Sequence, residues 1–155
     1  MKTLVSKYIF KGFGFDVLLK NIFVETIEGE EFPEINMNDL KLHTAKALLI
    51  ERQRLTGNQL KFLRTFAKLS FDDVAQRIRV PASTLRSWEN RGKEFTGFSV
   101  EGERAFRVTL TNIIFDREKS RYDIELSLTK DFLSPSKNDA IDVYANLDSV
   151  QVSNK

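Results

Sequence analysis

Residues 69–90 have the sequence LSFDDVAQRIRVPASTLRSWEN, which contains the start signals of two consecutive short helices. Ser70 and Asp73 have the spacing of a helix N-cap, in which each side chain accepts a hydrogen bond from the other residue's backbone. Pro81 favours an extended preceding residue and suits the first turn of a new helix, which we place at residues 82–90. The predicted inward residues of the first helix are Val74, Ala75 and Ile78. The stretch therefore predicts two short helices joined by a tight turn.

A longer amphipathic helix precedes this pair. Thr56 and Gln59 have capping-box spacing, so the helix should begin there. Its apolar residues recur at three- and four-residue steps and are Leu60, Phe62, Leu63, Phe66 and Ala67. After the pair, Gly92 fits a C-terminal cap, and we expect Ser99 to cap a fourth helix that runs to about residue 115. These helices define a predicted domain over residues 54–119.

The N-terminal region, residues 1–53, is rich in aromatic and β-branched residues and is interrupted by glycine and proline. Its stretches 7–10, 15–19 and 22–27 predict two or three short antiparallel strands. Gly12 and Gly14 predict a tight turn. The strands are followed by a predicted helix that is capped by Asn36 or Asn38 and ends near Arg52.

The C-terminal region, residues 120–155, begins with a predicted strand. Tyr122, Ile124, Leu126 and Leu128 alternate with polar residues, which is the period of a half-buried strand. From Ser134 onward, polar residues dominate. We expect this tail to be mobile, or ordered only against a partner.

Charge is distributed unevenly along the chain. Residues 46–93 carry 11 Lys and Arg against 4 Asp and Glu, a net charge of +7, whereas residues 1–45 carry −2 and residues 94–155 carry −3. Basic side chains that displace counterions from phosphates give sequence-independent affinity for nucleic acid. The basic middle third predicts a polyanionic partner, although a solvated helix surface would have the same composition.

The composition also argues against several functions. The chain has no cysteine and a single histidine, so we expect neither a disulfide nor a metal site, and we expect no cofactor. No run of residues is long and apolar enough to predict a membrane helix or a signal peptide, which favours a cytoplasmic protein. The absence of a recognisable nucleophile motif predicts that the chain is not an enzyme.

The helix at residues 82–90 has two distinct faces. At about 100° per residue, Leu85 and Trp88 lie together and should point into the core. The opposite face is small or polar and consists of Ser83, Arg86, Ser87 and Asn90. Such a face can approach base edges in a DNA groove, with Arg86 contacting guanine or phosphate. An ordinary exposed helix face would have the same pattern.

These residues closely resemble the helix-turn-helix of Xre/Cro-type regulators, above all in the segment STLRSWEN at residues 83–90. The resemblance covers residues 56–93. The segment RLTGNQLKFLR, residues 54–64, is also loosely similar to MqsA-like antitoxins. The zinc site of those antitoxins cannot exist in a chain without cysteine. The implied fold class is α+β, with a small N-terminal antiparallel β-region packed on a repressor-like domain of four to five helices, followed by the C-terminal strand and tail.

The resemblance also implies roles for individual residues. Ala82, Ser83 and Ser87 match base-reading positions, which Thr84 and Arg86 flank. Asn90 matches a phosphate contact, and Arg64 and Glu89 match a partly buried ion pair between the first helix and the recognition helix. Two residues depart from the family pattern, since Phe71 stands where a polar phosphate ligand is usual and Arg79 stands where glycine is frequent. The additional phosphate ligands we predict are Arg77, Arg79, Arg91 and Lys93.

Two functions are therefore expected from the sequence. The first is a sequence-specific DNA-binding regulator of transcription, most simply a repressor, that binds a palindromic operator in double-stranded DNA as a homodimer. The alternative is an antitoxin-like module that binds a toxin or another partner protein through Phe71 and the aromatic N-terminal region.

Overall fold

The computed structural model describes residues 2–50, 53–114, 140–145 and 150–152 of the chain. The chain divides into two compact units. The first comprises Met1–Ala47 together with Asp139–Lys155, and the second comprises Leu48–Asn138. The described residues form a sheet and five helices, so the predicted α+β class is confirmed. None of the helices in the described ranges combines the length and the apolar character needed to cross a membrane.

An antiparallel arrangement of three strands forms the N-terminal part of the first unit. Strand β1 (Lys2–Phe10) and strand β3 (Glu30–Pro33) both pair with strand β2 (Asp16–Ile27). Gly14 and Gly29 lie in the connections with φ of 88° and 86°, a conformation that glycine adopts without a steric penalty. The predicted antiparallel β-region and the predicted turn at Gly14 are thus present.

Strand β2 is longer than predicted. The sequence predicts two or three strands and leaves open whether stretches 15–19 and 22–27 are separate; in the structure, residues from Asp16 to Ile27 form one strand. Asn21 adopts the left-handed conformation with φ of 54°, which asparagine tolerates better than most residues. The strand continues through it, but the alternation of buried residues shifts by one position. The buried residues of β2 are Val17, Leu19, Ile22 and Val24.

Two further strands complete this sheet. Strand β4 (Ala140–Ala145) pairs in parallel with β2, and strand β5 (Val150–Val152) pairs antiparallel with β4. No strand is predicted beyond residue 128, so β4 and β5 are a difference between prediction and structure. Parallel pairing joins segments far apart in the sequence without a local turn, so no turn signal predicts the pairing of β4 with β2. The predicted strand at residues 122–128 lies outside the described residues.

Helix α1 (Met37–Ile50) follows β3. The side chain of Asn36 accepts hydrogen bonds from the backbone of Asn38 at 2.9 Å and of Asp39 at 3.2 Å. Of the two predicted caps, Asn36 therefore satisfies the free donors at the start of this helix.

The described residues of the second unit form four more helices, each beginning where the sequence predicts. They are α2 (Gly57–Phe66), α3 (Phe71–Ile78), α4 (Ala82–Glu89) and α5 (Val100–Ile114). The predicted capping boxes of Thr56 with Gln59 and of Ser70 with Asp73 are both formed. Their fully buried apolar residues include Leu60, Leu63, Val74, Leu85, Phe106 and Leu110.

A buried ion pair in the second unit has no counterpart in the prediction. The side chains of Glu103 and Arg107 are both fully buried in α5, and Arg107 Nη2 lies 3.7 Å from Glu103 Oε2. Arg107 donates hydrogen bonds to the carbonyl oxygens of Leu48 and Gln53, while Glu103 Oε1 accepts from the Leu55 amide at 2.7 Å. The pair thus satisfies backbone groups that precede α2.

Candidate nucleic-acid interface

A connection of three residues joins α3 to α4. Arg79 ends α3 in the left-handed conformation, with φ of 56°, and its amide donates to the carbonyl of Ala75. Pro81 immediately precedes α4 as its N-cap residue, and its carbonyl accepts from the amides of Thr84 and Leu85. Arg79 therefore occupies a backbone conformation that glycine adopts more easily.

The two faces of α4 differ as predicted. Leu85 is 1% exposed, and the half-buried ring of Trp88 packs on Phe98 with 4.5 Å between ring centroids. A Cβ added to Gly97 would lie 2.3 Å from Trp88 Nε1, so this glycine allows close packing against the indole. The exposed residues at and after α4 include Ser83, Arg86, Ser87 and Asn90, while Ala82 and Thr84 are half-buried.

The predicted ion pair between Arg64 and Glu89 connects α2 to α4. Arg64 Nε lies 2.5 Å from Glu89 Oε2, and Arg64 Nη2 donates to Glu89 Oε1 at 3.0 Å. The third donor, Nη1, bonds the carbonyl of Leu69 at 2.9 Å. The side chains are only 15% and 5% exposed. This bidentate pair fixes the back of α4 against α2 and against the start of α3.

Phe71 is the first residue of α3. Its ring contacts one arginine of α2, Arg64, and one arginine of α4, Arg86. The guanidinium carbon of Arg64 is 4.1 Å from the centroid of the Phe71 ring, and that of Arg86 is 4.8 Å from it. Both distances are within the range of cation–π attraction. The half-buried ring serves as an anchor for both guanidinium groups.

Four further cations that the sequence predicts as phosphate ligands flank α4 along the chain. Arg77 lies in the last turn of α3 and Arg79 in the connection, while Arg91 and Lys93 follow α4; all four are exposed. Arg91 Nη1 donates to the carbonyl of Phe95 at 3.1 Å, which orients its side chain along the loop after α4. The structure therefore places positive charge at both ends of the helix.

Acidic residues lie at the opposite end of α3. Asp72 and Asp73 are both exposed in its first turn. Hydrogen bonds from the backbone and side chain of Ser70, followed by the charge of Arg77, lower the pKa of Asp73 below its ordinary value. The two carboxylates beside Phe71 repel an anion, so the start of α3 is an unfavourable place for a phosphate group.

Part of this arrangement has no signal in the sequence. Helical periodicity predicts that Arg86 lies on the exposed face of α4. Its contact with Phe71 depends on how α3 and α4 pack against each other. Within the described part of the chain, no three His, Cys, Asp or Glu side chains are grouped so that they could hold a metal ion.

The comparisons with known proteins give no family for this chain. It matches no protein-family model, no curated protein and no solved structure. A function for the chain therefore has to be argued from the residues of α2, α3 and α4 themselves.

Proposed function

We propose that this chain is a sequence-specific DNA-binding regulator of transcription, acting as a repressor, in which α3 and α4 form a helix-turn-helix and α4 enters the major groove. In such a unit the second helix contacts base edges while the first crosses the DNA backbone. The observation that carries the proposal is the division of α4 into a face held by Leu85 and Glu89 and an exposed face of small and polar residues.

The exposed face has the chemistry that base reading requires. The hydroxyl groups of Ser83 and Ser87 can donate to and accept from base edges, and their small size lets the helix backbone approach the groove. The methyl group of Ala82, at the leading end of α4, suits contact with the thymine methyl. Thr84, which is half-buried, flanks these residues.

The flanking cations suit the phosphate backbone. Arg77, Arg79, Arg91 and Lys93 are all exposed and precede or follow α4. Each phosphate neutralised by such a side chain releases counterions and makes binding weaker at higher salt. Asn90, which ends α4, is proposed as a further backbone contact. Binding by a homodimer would place two copies of α4 in successive major grooves of a palindromic operator.

The salt dependence of DNA binding tests the roles of these cations. We expect Arg79→Ala to weaken binding to all duplexes alike and to reduce the slope of log affinity against log salt by about 0.9 for each half-site of the operator. Fluorescence anisotropy titrations at several salt concentrations measure this slope. Lys41→Ala, which removes an exposed charge from α1, is the matched control and should leave the slope unchanged. An unchanged slope in Arg79→Ala would remove this residue from the interface.

A second proposed function, binding of a partner protein such as a toxin, is favoured by exposed apolar residues of the first unit. They are Leu4, Ile9, Ile27, Phe32 and Met37, each 45% to 59% exposed. This function does not exclude DNA binding. It becomes the leading proposal if the full chain has no preference for any DNA sequence.

A further inference from the structure

We infer that Arg86 reads a guanine in each operator half-site and that Phe71 is the positioning residue that makes this possible. The inference rests on the proposed function and deepens it, because the sequence leaves Arg86 open to either guanine or phosphate. It starts from the contact between the Arg86 guanidinium and the Phe71 ring, 4.8 Å from carbon Cζ to the ring centroid.

The aromatic contact restricts an otherwise mobile side chain. Arg86 is exposed, and no carboxylate in the described part of the chain pairs with it. An exposed arginine without an aromatic contact loses considerable rotamer freedom when it binds a base or a phosphate. Phe71 reduces that loss, while the N–H groups of the guanidinium stay available because cation–π attraction uses none of them.

The Phe71 ring is itself held in place. Arg64 also contacts the ring, at 4.1 Å, and its own guanidinium is fixed by Glu89 and by the carbonyl of Leu69. A chain of contacts therefore runs from the buried face of α4, through Arg64 and Phe71, to Arg86 on the exposed face. Because Glu89 neutralises Arg64, the free positive charge at this position belongs to Arg86.

Guanine is favoured over phosphate on two grounds. A guanidinium whose movement is restricted by the Phe71 ring suits the planar, bidentate contact with O6 and N7 of guanine, and its place on the exposed face of α4 brings it to base edges rather than to the flanking backbone. In addition, the exposed carboxylates of Asp72 and Asp73 beside Phe71 disfavour a phosphate at this point. Ala82, one turn before Arg86, leaves room for the arginine to approach the bases.

The test compares duplexes that differ in one atom. After the operator has been selected from random DNA, each guanine of a half-site is replaced by 7-deazaguanine, which keeps the base pair and the phosphate but lacks the N7 acceptor. We expect one position at which this replacement weakens wild-type binding roughly five-fold or more, and at which it no longer weakens binding by Arg86→Ala. Arg86→Met, which keeps a long side chain but has no hydrogen-bond donor, should behave like Arg86→Ala.

Variants of Phe71 test its role in positioning. Phe71→Leu keeps an apolar side chain but removes the aromatic face, and we expect it to reduce discrimination at the same guanine roughly two- to five-fold. Phe71→Tyr keeps the ring and should retain the discrimination. The ratio of affinities for the two duplexes does not depend on how much of a variant is folded, so a loss of stability does not imitate the effect.

Several results would overturn the inference. If Arg86→Ala weakens binding to all duplexes alike and reduces the salt slope, Arg86 is a phosphate ligand. If Phe71→Leu keeps full discrimination, Phe71 does not position the arginine. In both cases an operator has been selected and the proposed function stands. If no operator can be selected, the proposed function fails and the inference fails with it.

Discussion

Glu89→Ala is expected to lower the free energy of unfolding by about 3–5 kcal/mol, the cost typical of breaking a buried ion pair from one side. The variant leaves the guanidinium of Arg64, 15% exposed, without the carboxylate that accepts two of its hydrogen bonds. Urea unfolding followed by the fluorescence of Trp88, the single tryptophan, measures the change.

The comparison variant for this prediction is Glu94→Ala. Glu94 carries the same charge but is exposed in the loop after α4, and its substitution should change stability by less than about 0.5 kcal/mol. We expect Glu89→Ala to impair folding more than it impairs DNA binding by the folded protein. Wild-type stability combined with lost DNA binding would show instead that Glu89 acts at the interface.

Gly57→Ala is expected to destabilise the second unit by about 3 kcal/mol or more, because the added carbon overlaps with backbone atoms. A Cβ at Gly57 would lie 2.4 Å from the carbonyl oxygen of Trp88 and 2.8 Å from the amide nitrogen of Gly92. These atoms cannot rotate away, as a side chain could. The first residue of α2 thus has to be glycine for the helix to approach the end of α4.

The same urea measurement tests this prediction, with Gly102→Ala as its control. Gly102 lies in the first turn of α5, where the nearest atom to an added Cβ is the hydroxyl of Ser99 at 3.0 Å. We expect this control to change stability by less than about 1 kcal/mol, since alanine favours helix more than glycine does. If Gly57→Ala is as stable as the control, the start of α2 does not lie as close to the end of α4 as we describe.

Local signals explain why the helices of the second unit could be predicted from the sequence. The capping boxes at Thr56 and Ser70 and the proline at position 81 each act within a few residues of the helix that they start. The exposed face of α4 followed from helical periodicity alone. The Arg64–Glu89 pair came from the family resemblance, and the structure contains it.

Contacts between distant residues explain what could not be predicted. The pairing of β4 with β2 and the burial of Glu103 and Arg107 depend on segments far apart in sequence. Asn21 adopts the left-handed conformation within β2 without ending the strand. The contacts of Phe71 with both arginines likewise depend on tertiary packing, which helical periodicity does not describe.

Selection of duplexes from a random pool by the full chain tests the central claim, sequence-specific DNA binding, most directly. We predict enrichment of a palindromic site whose half-sites lie about one helical turn, roughly 10 base pairs, apart, with binding that weakens as salt increases. Because the site reports the symmetry of the bound protein, the same experiment tests the proposed homodimer. A pool that remains random after repeated selection, under conditions in which the chain is folded, would contradict the account.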